Sequence, residues 1–176
     1  MRSLRAGALL TVAFCCLLAG CAVPTADESH PSRNVSVTVS NQADSTYAVR
    51  IMLVTGDIDA VAVTYPNGTT RRLAVDAVAD IPPARLRNAT DFRILGVNTK
   101  TRRDTLAPGS GTGATYTAVP TNTSVVYHLV PSAEAPTGSW GVLQCGDSTV
   151  MDVSITINPN RTYDVDNRCS DTPGRT

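Results

Sequence analysis

The stretch that decides the fold is residues 150–169, VMDVSITINPNRTYDVDNRC. Its apolar positions alternate with polar ones and are Met151, Val153, Ile155 and Ile157. Alternation with a period of two predicts a strand that turns one apolar face towards a core. The turn sequence Asn158-Pro159-Asn160 follows, and Tyr163 begins a second alternating run, so the stretch predicts a β-hairpin packed on a hydrophobic core.

The same period recurs along most of the chain. Further alternating runs centre on Val37, Ile51, Val63, Phe92, Tyr116, Tyr127 and Trp140. With turn signals about every 8–12 residues, this pattern predicts an all-β, antiparallel β-sandwich of about eight strands. Residues 77–90 predict a crossing loop with a short helical turn, and residues 98–113 predict a long polar connection. Within that connection Gly109–Gly113 lacks the lysine of a P-loop and is interpreted as a flexible link.

The predicted domain resembles immunoglobulin-like sandwiches in strand count and spacing. The resemblance departs from antibody-type domains in one respect, because Trp140 precedes both Cys145 and Cys169 instead of lying between them. The last three strands predict a C-terminal meander with one cysteine on its first strand and one on its third. The two cysteines would then either bridge across the end of the middle strand or tie the final strand to a neighbouring sheet.

The N-terminus carries a leader. Arg2 and Arg5 precede an apolar run over residues 8–18, which is too short to span a bilayer, since that takes about 20 residues. The run ends in Leu18-Ala19-Gly20-Cys21, which resembles the lipobox of prokaryotic lipoproteins. That resemblance implies cleavage before Cys21, a lipid on its thiol, and attachment to the outer face of the cell membrane. The alternative is an ordinary secretory signal cut near the same place.

These features divide the chain into four parts. They are a signal peptide over residues 1–20, a flexible tether over 21–34, the β-sandwich over 35–170 and a loose tail over 171–176. The tether holds two prolines and no periodic apolar pattern.

Charge is balanced, with 15 basic and 15 acidic residues, which argues against a nucleic-acid partner. It is unevenly distributed, because eight basic residues lie between Arg71 and Arg103 while acids dominate after Glu134. The basic stretch is interpreted as solvated surface or, alternatively, as a face for anionic headgroups or an acidic polymer.

Cysteine usage indicates an oxidising compartment. Cys15 and Cys16 would leave with the leader and Cys21 would carry lipid, so Cys145 and Cys169 remain and are predicted to form a disulfide. Their spacing is far from that of a redox or metal pair.

The sequence offers no catalytic constellation. His30 lies in the tether and His128 is the other histidine, predicted to be a surface or packing residue on the face of its strand opposite Tyr127. One histidine in the domain and no GxSxG motif argue against a serine hydrolase, and we expect no enzyme and no cofactor. The candidate weak calcium ligands are Asp57, Asp59, Asp164 and Asp166, which end strands in oxygen-rich loops.

Five N-x-[ST] sequons are present. Their asparagines are Asn34, Asn67, Asn88, Asn122 and Asn160, three of which, Asn67, Asn122 and Asn160, fall in predicted turns or loops. The sequence therefore predicts either glycosylation on an exported surface or ordinary turn and strand chemistry.

The leader and the absence of catalytic residues favour a lipid-anchored structural or interaction module. Its expected partners are the membrane, through the lipid on Cys21, and an envelope protein or polymer. The alternative is a lipoprotein that binds calcium or an anion, through the four aspartates or the basic stretch.

Overall fold

Strands dominate the computed structural model, which describes residues 31–86, 88–132 and 138–171. The leader, the lipobox with Cys21 and all but the first residue of the predicted tail lie outside the described residues. Within the described ranges no helix is long and apolar enough to cross a membrane.

The described residues form eleven strands and one short helix. The strands are β1 (Ser32–Asn41), β2 (Tyr47–Thr55), β3 (Ala60–Thr64), β4 (Thr70–Leu73), β5 (Asp91–Leu95), β6 (Thr99–Leu106), β7 (Gly111–Pro120), β8 (Thr123–Pro131), β9 (Ser139–Leu143), β10 (Val150–Ile157) and β11 (Tyr163–Ser170). A 3₁₀ turn over Val78–Asp80 and helix α1 (Pro83–Leu86) connect β4 to β5, where the sequence predicted a crossing loop with a helical turn.

The strands assemble into three sheets. Sheet A has the order β11-β10-β1-β7, sheet B the order β6-β2-β8-β9, and sheet C the order β4-β3-β5. The all-β sandwich predicted from the sequence is confirmed, although the described strands exceed the expected eight. One pair also departs from the antiparallel expectation, because β1 runs parallel to β10 with Asn34 opposite Val150. Strands so distant in sequence can pair in either direction, and side-chain alternation is the same in both.

The central strands of sheet B, β2 and β8, are largely buried on both faces of the sheet. Its inner face packs on sheet A around Val37, Ile51 and Ile155, while its other face packs on sheet C around Val54, Val63 and Phe92. Two-sided burial explains why β2 reads YAVRIMLVT, with four consecutive buried residues at 51–54, instead of alternating cleanly. The molecule is therefore a sandwich with a third, smaller sheet added to one side.

The prediction that residues 98–113 form a long polar connection is wrong. It contains all of β6 and the start of β7, joined by a tight connection at Gly109 (φ +72°). Gly111 and Gly113 belong to β7, so the predicted flexible link is largely strand. The sequence TKTRRDTL has no alternating apolar residues that would predict a strand, because β6 lies at the edge of sheet B and exposes most of its side chains.

The predicted C-terminal meander is wrong. β9 pairs with β8 in sheet B, whereas β10 and β11 belong to sheet A, so the chain changes sheets between Leu143 and Val150. The period-two alternation of β9 is retained: Trp140 and Val142 pack in the core under sheet C, and Leu143 packs in the other core.

Strand β1 begins at Ser32, three residues before the predicted start of the domain. Arg33 is only 2% exposed and donates through Nη2 to the carbonyl of Gly146. Burial lowers the pKa of Arg33, and the nearby Asp147 carboxylate opposes that shift. The end of the predicted tether is thus part of sheet A.

Candidate functional site

A cleft of about 410 Å³ opens where sheets B and C meet. Its floor is formed by Arg50 on β2 and His128 on β8, which face each other in register. Asp91 of sheet C forms one wall, and the exposed Arg103 of β6 lies beside Arg50, in register with it on the neighbouring strand. This cleft brings a buried histidine together with two arginines and an aspartate and is the first candidate site.

Arg50 is the centre of the cleft. Its Nη1 lies 2.7 Å from the Asp91 carboxylate, and its Nη2 donates to the backbone carbonyl of Phe92 at 2.8 Å. The same nitrogen lies 3.3 Å from Nδ1 of His128. The guanidinium carbon stands 4.9 Å from the centre of the Phe92 ring, within cation–π range. Arg50 therefore links sheet B to sheet C through three contacts with Asp91 and Phe92, while its contact with His128 lies within sheet B.

His128 is a packing residue, 5% exposed, and its ring meets that of Phe92 edge to face at 5.2 Å. Burial lowers its pKa to about 4, with a further lowering by the Arg50 guanidinium and a smaller opposing effect of Asp91. Gly138 lies against the ring, since a Cβ there would stand 2.4 Å from Nε2. An uncharged, enclosed imidazole at neutral pH fits a structural contact better than proton transfer to a substrate.

Replacing Arg50 with methionine is expected to lower the free energy of unfolding by about 2 kcal/mol. The change keeps an apolar stem but removes charge-assisted hydrogen bonds, each worth about 1.5–3 kcal/mol, and the cation–π contact. Denaturant unfolding of the purified protein measures the effect. The matched control is Arg103→Met, an exposed arginine of the same cleft. Equal losses in the two variants would contradict the linking role.

A second candidate site is a shallow groove of about 420 Å³ on the outer face of sheet A. Thr38 and Ser40 of β1 lie opposite Gly113 and Gly111 of β7, and Ser154 of β10 lies on the other side of Thr38. The two glycines supply no side chain, so the backbone of β7 forms one wall. A Cβ at Gly111 would stand 3.1 Å from the carbonyl oxygen of Val39, a tight contact that would require the two strands to adjust slightly.

Hydroxyl groups line the groove. Thr38 donates to the carbonyl of Val153 at 3.3 Å, and Ser40 donates to the hydroxyl of Thr156 at 3.3 Å. Each hydroxyl can still accept a bond from outside, because a hydroxyl carries one donor and two acceptor positions. The groove can therefore hydrogen-bond an extended polar partner along its length.

The four aspartates proposed as calcium ligands lie in two separate parts of the fold. Asp57 and Asp59 occupy the β2–β3 connection, whereas Asp164 and Asp166 lie on β11. Asp164 accepts from the side chain of Asn158 at 2.9 Å, and Asp166 pairs with Arg168 at 3.0 Å. Within the described residues, no group of three or more His, Cys, Asp or Glu side chains is placed to hold a metal ion.

The basic stretch is also divided between sheets. Arg72 and Arg93 flank Ala62 on the exposed face of sheet C, while Arg102 and Arg103 lie on β6 at the edge of sheet B. Arg102 is held by Asp104 at 2.6 Å, so part of the basic charge is neutralised locally.

Cys145 and Cys169 form the predicted disulfide, with their Cα atoms 5.4 Å apart. Cys145 follows β9 of sheet B, and Cys169 lies on β11 of sheet A. Of the two arrangements that the sequence left open, the disulfide takes the second and ties the final strand to the neighbouring sheet.

Sequence reasoning missed Arg50, although a signal was available. A single arginine within YAVRIMLVT is a charge inside a strand that is otherwise apolar, and such a charge requires partners. Its partners come from β5 and β8, and nothing in the local sequence identifies them.

Comparisons with known proteins identify one matching family and several solved structures of low sequence identity. A family model described as "Halobacterial Ig domain protein" matches residues 1–172. No curated protein matches. Among solved structures, the T6SS lipoprotein TssJ1 from Pseudomonas aeruginosa is 13% identical, with 80% of this chain and 99% of that chain covered and a TM-score of 0.46. The membrane-binding domain of pneumolysin is 8% identical, with 80% and 100% covered and a TM-score of 0.34.

Proposed function

The chain belongs to the family of halobacterial Ig domain proteins, and from that premise we propose that it is an exported, lipid-anchored, non-catalytic module of the cell envelope. It holds an envelope protein or polymer through the hydroxyl-lined groove on sheet A. The lipid on Cys21 supplies the anchor, and the sandwich supplies the contact surface. The alternatives of catalysis and metal binding have less support from the residues described above.

The observation that carries this proposal is the difference between the sheets. The central strands β2 and β8 of sheet B are covered on both faces, whereas the outer face of sheet A presents exposed side chains from β1, β7 and β10. These side chains are short and polar, and include Thr38, Thr115 and Ser154. A broad polar face with a groove suits a hydrated partner better than a lipid surface or an apolar ligand.

Two further features support an exported module. The disulfide joins the two main sheets, and such bonds persist in oxidising compartments. The described chain enters at one end of the sandwich, where the carbonyl of Pro31 accepts the backbone N–H of Thr121 at 3.0 Å. The ten residues of β1 then extend about 33 Å to the opposite end. A tether entering there would leave the outer face of sheet A free to meet a partner beside the membrane.

Photo-cross-linking on intact halobacterial cells tests the proposal. A benzophenone amino acid in place of Thr38, in the groove, is expected to form a covalent adduct with one envelope component. The same replacement at Thr101, exposed on β6, is the matched control and is expected to form none. Adducts at position 101 without adducts at position 38 would refute the groove as the contact surface. In the same cells, Cys21→Ser is expected to release the protein from membranes, and its retention would refute the lipid anchor.

A further inference from the structure

We propose that two of the five sequons, Asn67-Gly68-Thr69 and Asn160-Arg161-Thr162, are N-glycosylation sites, and that the other three stay unmodified. The inference goes beyond the proposed contact role of sheet A and rests on it only through export. It assigns a covalent modification to two hairpin tips, one on sheet C between β3 and β4 and one on sheet A between β10 and β11.

Exposure separates the two sequons from the rest. All three residues of each of these sequons are exposed. In each of the other three sequons the middle residue is buried, at 0% exposure for Val35, 3% for Ala89 and 2% for Thr123. A transferase must surround the asparagine and the hydroxyl residue two positions later, so a buried middle residue keeps the tripeptide against the domain.

The two hairpin tips are built alike. Each has proline before the asparagine and a residue with positive φ after it, Gly68 at 78° and Arg161 at 63°. In the first tip the N–H of Gly68 donates to the carbonyl of Tyr65 at 2.9 Å, and in the second the N–H of Arg161 donates to the carbonyl of Asn158 at 2.9 Å. The left-handed region is strained for an arginine, because its Cβ comes too close to the following carbonyl oxygen. The second turn therefore keeps the geometry of the first without its glycine.

The asparagine side chain has the same orientation in both tips. Oδ1 of Asn67 accepts the backbone N–H of Thr69 at 3.0 Å, and Oδ1 of Asn160 accepts that of Thr162 at 3.2 Å. In the second tip the Thr162 hydroxyl also donates to Oδ1 of Asn160 at 2.7 Å. These bonds hold the turn through the oxygen of each amide and do not use Nδ2, the nitrogen that would be glycosylated, and both asparagines are exposed.

The modification requires a separate transferase and a glycosyl donor, a sugar whose anomeric carbon is bonded to phosphate on a lipid carrier. Nδ2 forms a bond to that carbon, and the carbon–oxygen bond to phosphate breaks. The phosphate leaves with the bonding electrons, and Nδ2 loses one proton to a base of the transferase. No oxidant or reductant is needed, and the product is an N-linked glycan.

Contacts restrain the other three sequons. Asn34 lies in β1, where its backbone N–H donates to the carbonyl of Thr149 at 2.9 Å. The hydroxyl of Thr90, in the Asn88 sequon, donates to the carbonyl of Thr64 at 3.1 Å.

In the Asn122 sequon the third residue is Ser124, which is itself buried. Its hydroxyl accepts from Nε2 of Gln144 at 2.8 Å, and its strand β8 is central in sheet B. The prediction from sequence that Asn122 lies in an exposed turn is right for the asparagine, but its sequon runs directly into the strand.

Peptide mapping by mass spectrometry tests the inference on full-length protein purified from halobacterial cells, after protease added to intact cells has shown that the protein is exposed at the surface. We expect glycan masses on the peptides with Asn67 and Asn160 and unmodified peptides for Asn34, Asn88 and Asn122. Thr69→Ala is expected to abolish the glycan on Asn67, while the matched variant Thr69→Ser keeps it. Both variants preserve the backbone N–H that holds Asn67, so the turn itself is retained.

Each remaining outcome counts against the inference. Surface-exposed protein with Asn67 and Asn160 unmodified would overturn the inference. Glycans at Asn34, Asn88 or Asn122 would also overturn it, because exposure of the whole tripeptide would then not determine which sites are modified. If the protein never reaches the cell surface, the proposed function is overturned as well. Cell fractionation distinguishes this result from surface-exposed protein that carries no glycan.

Discussion

Lowering the pH from above 6.5 to about 4 is expected to reduce the free energy of unfolding by about 3 kcal/mol through His128 alone. The imidazole is buried against Phe92 and faces the Arg50 guanidinium at 3.3 Å. Both the loss of solvation and the positive charge oppose protonation in the folded state. Asp91, on the far side of Arg50, favours it only weakly.

The sign follows from proton counting. His128 has a folded pKa of about 4, below its ordinary value of 6.5, so between those values the unfolded chain binds a proton that the folded chain does not. Stability from the neutral imidazole is fully present above pH 6.5 and is lost progressively as the pH falls to about 4. Below the folded pKa both states are protonated and no further loss arises from this group.

Denaturant titrations at a series of pH values measure the effect, with His128→Gln as the control. The variant is destabilised by its altered packing at every pH, but it lacks the titrating group. We therefore expect the wild-type protein to lose its advantage over the variant between pH 6.5 and 4. Parallel stability curves for the two proteins over that range would show that His128 titrates normally and that the cleft admits water.

The sequence predicted well what depends on alternation. The burial of Met151, Val153, Ile155 and Ile157, and the opposite faces of Trp140 and Leu143, follow from period two because one face of each strand meets a core. It could not reveal β6, since an exposed edge strand needs no apolar face. It also could not give the parallel pairing of β1 with β10, which is decided by contacts between residues more than 100 positions apart.

For the candidate sites, too, the sequence identified residue types but not the contacts that the fold makes between them. Residue types identified the cysteine pair and the five sequons, but only the fold shows which sheets the disulfide joins and which sequons are exposed throughout. Arg50 is the opposite case, in which a local anomaly was visible while its partners Asp91 and Phe92 lay far along the chain. The groove on sheet A has no sequence signature, because it forms only where the fold pairs Gly111 and Gly113 with Ser40 and Thr38.

The double variant Cys145→Ala/Cys169→Ala is expected to lose about 3–4 kcal/mol of unfolding free energy. The two cysteines are 24 residues apart, and in the chain-entropy model closing a loop of that size in the unfolded chain accounts for about 3.5 kcal/mol. The bond also crosses between sheets, so the core of Val37, Ile51 and Ile155 alone would have to hold β11 and β9 together. Denaturant unfolding of both proteins measures the difference.

Reduction provides the matched control for this prediction. A thiol reductant is expected to bring the wild-type protein close to the stability of the double variant and to leave the variant itself unchanged. Because Cys169 is exposed, the reductant can reach the bond in the folded state. If reduction and substitution each cost less than about 1 kcal/mol, the entropy of the cross-link is not what stabilises the sandwich, and the two cores must hold the sheets without it. A full loss would instead make an oxidising environment a condition of folding, which agrees with the export on which the proposed envelope function depends.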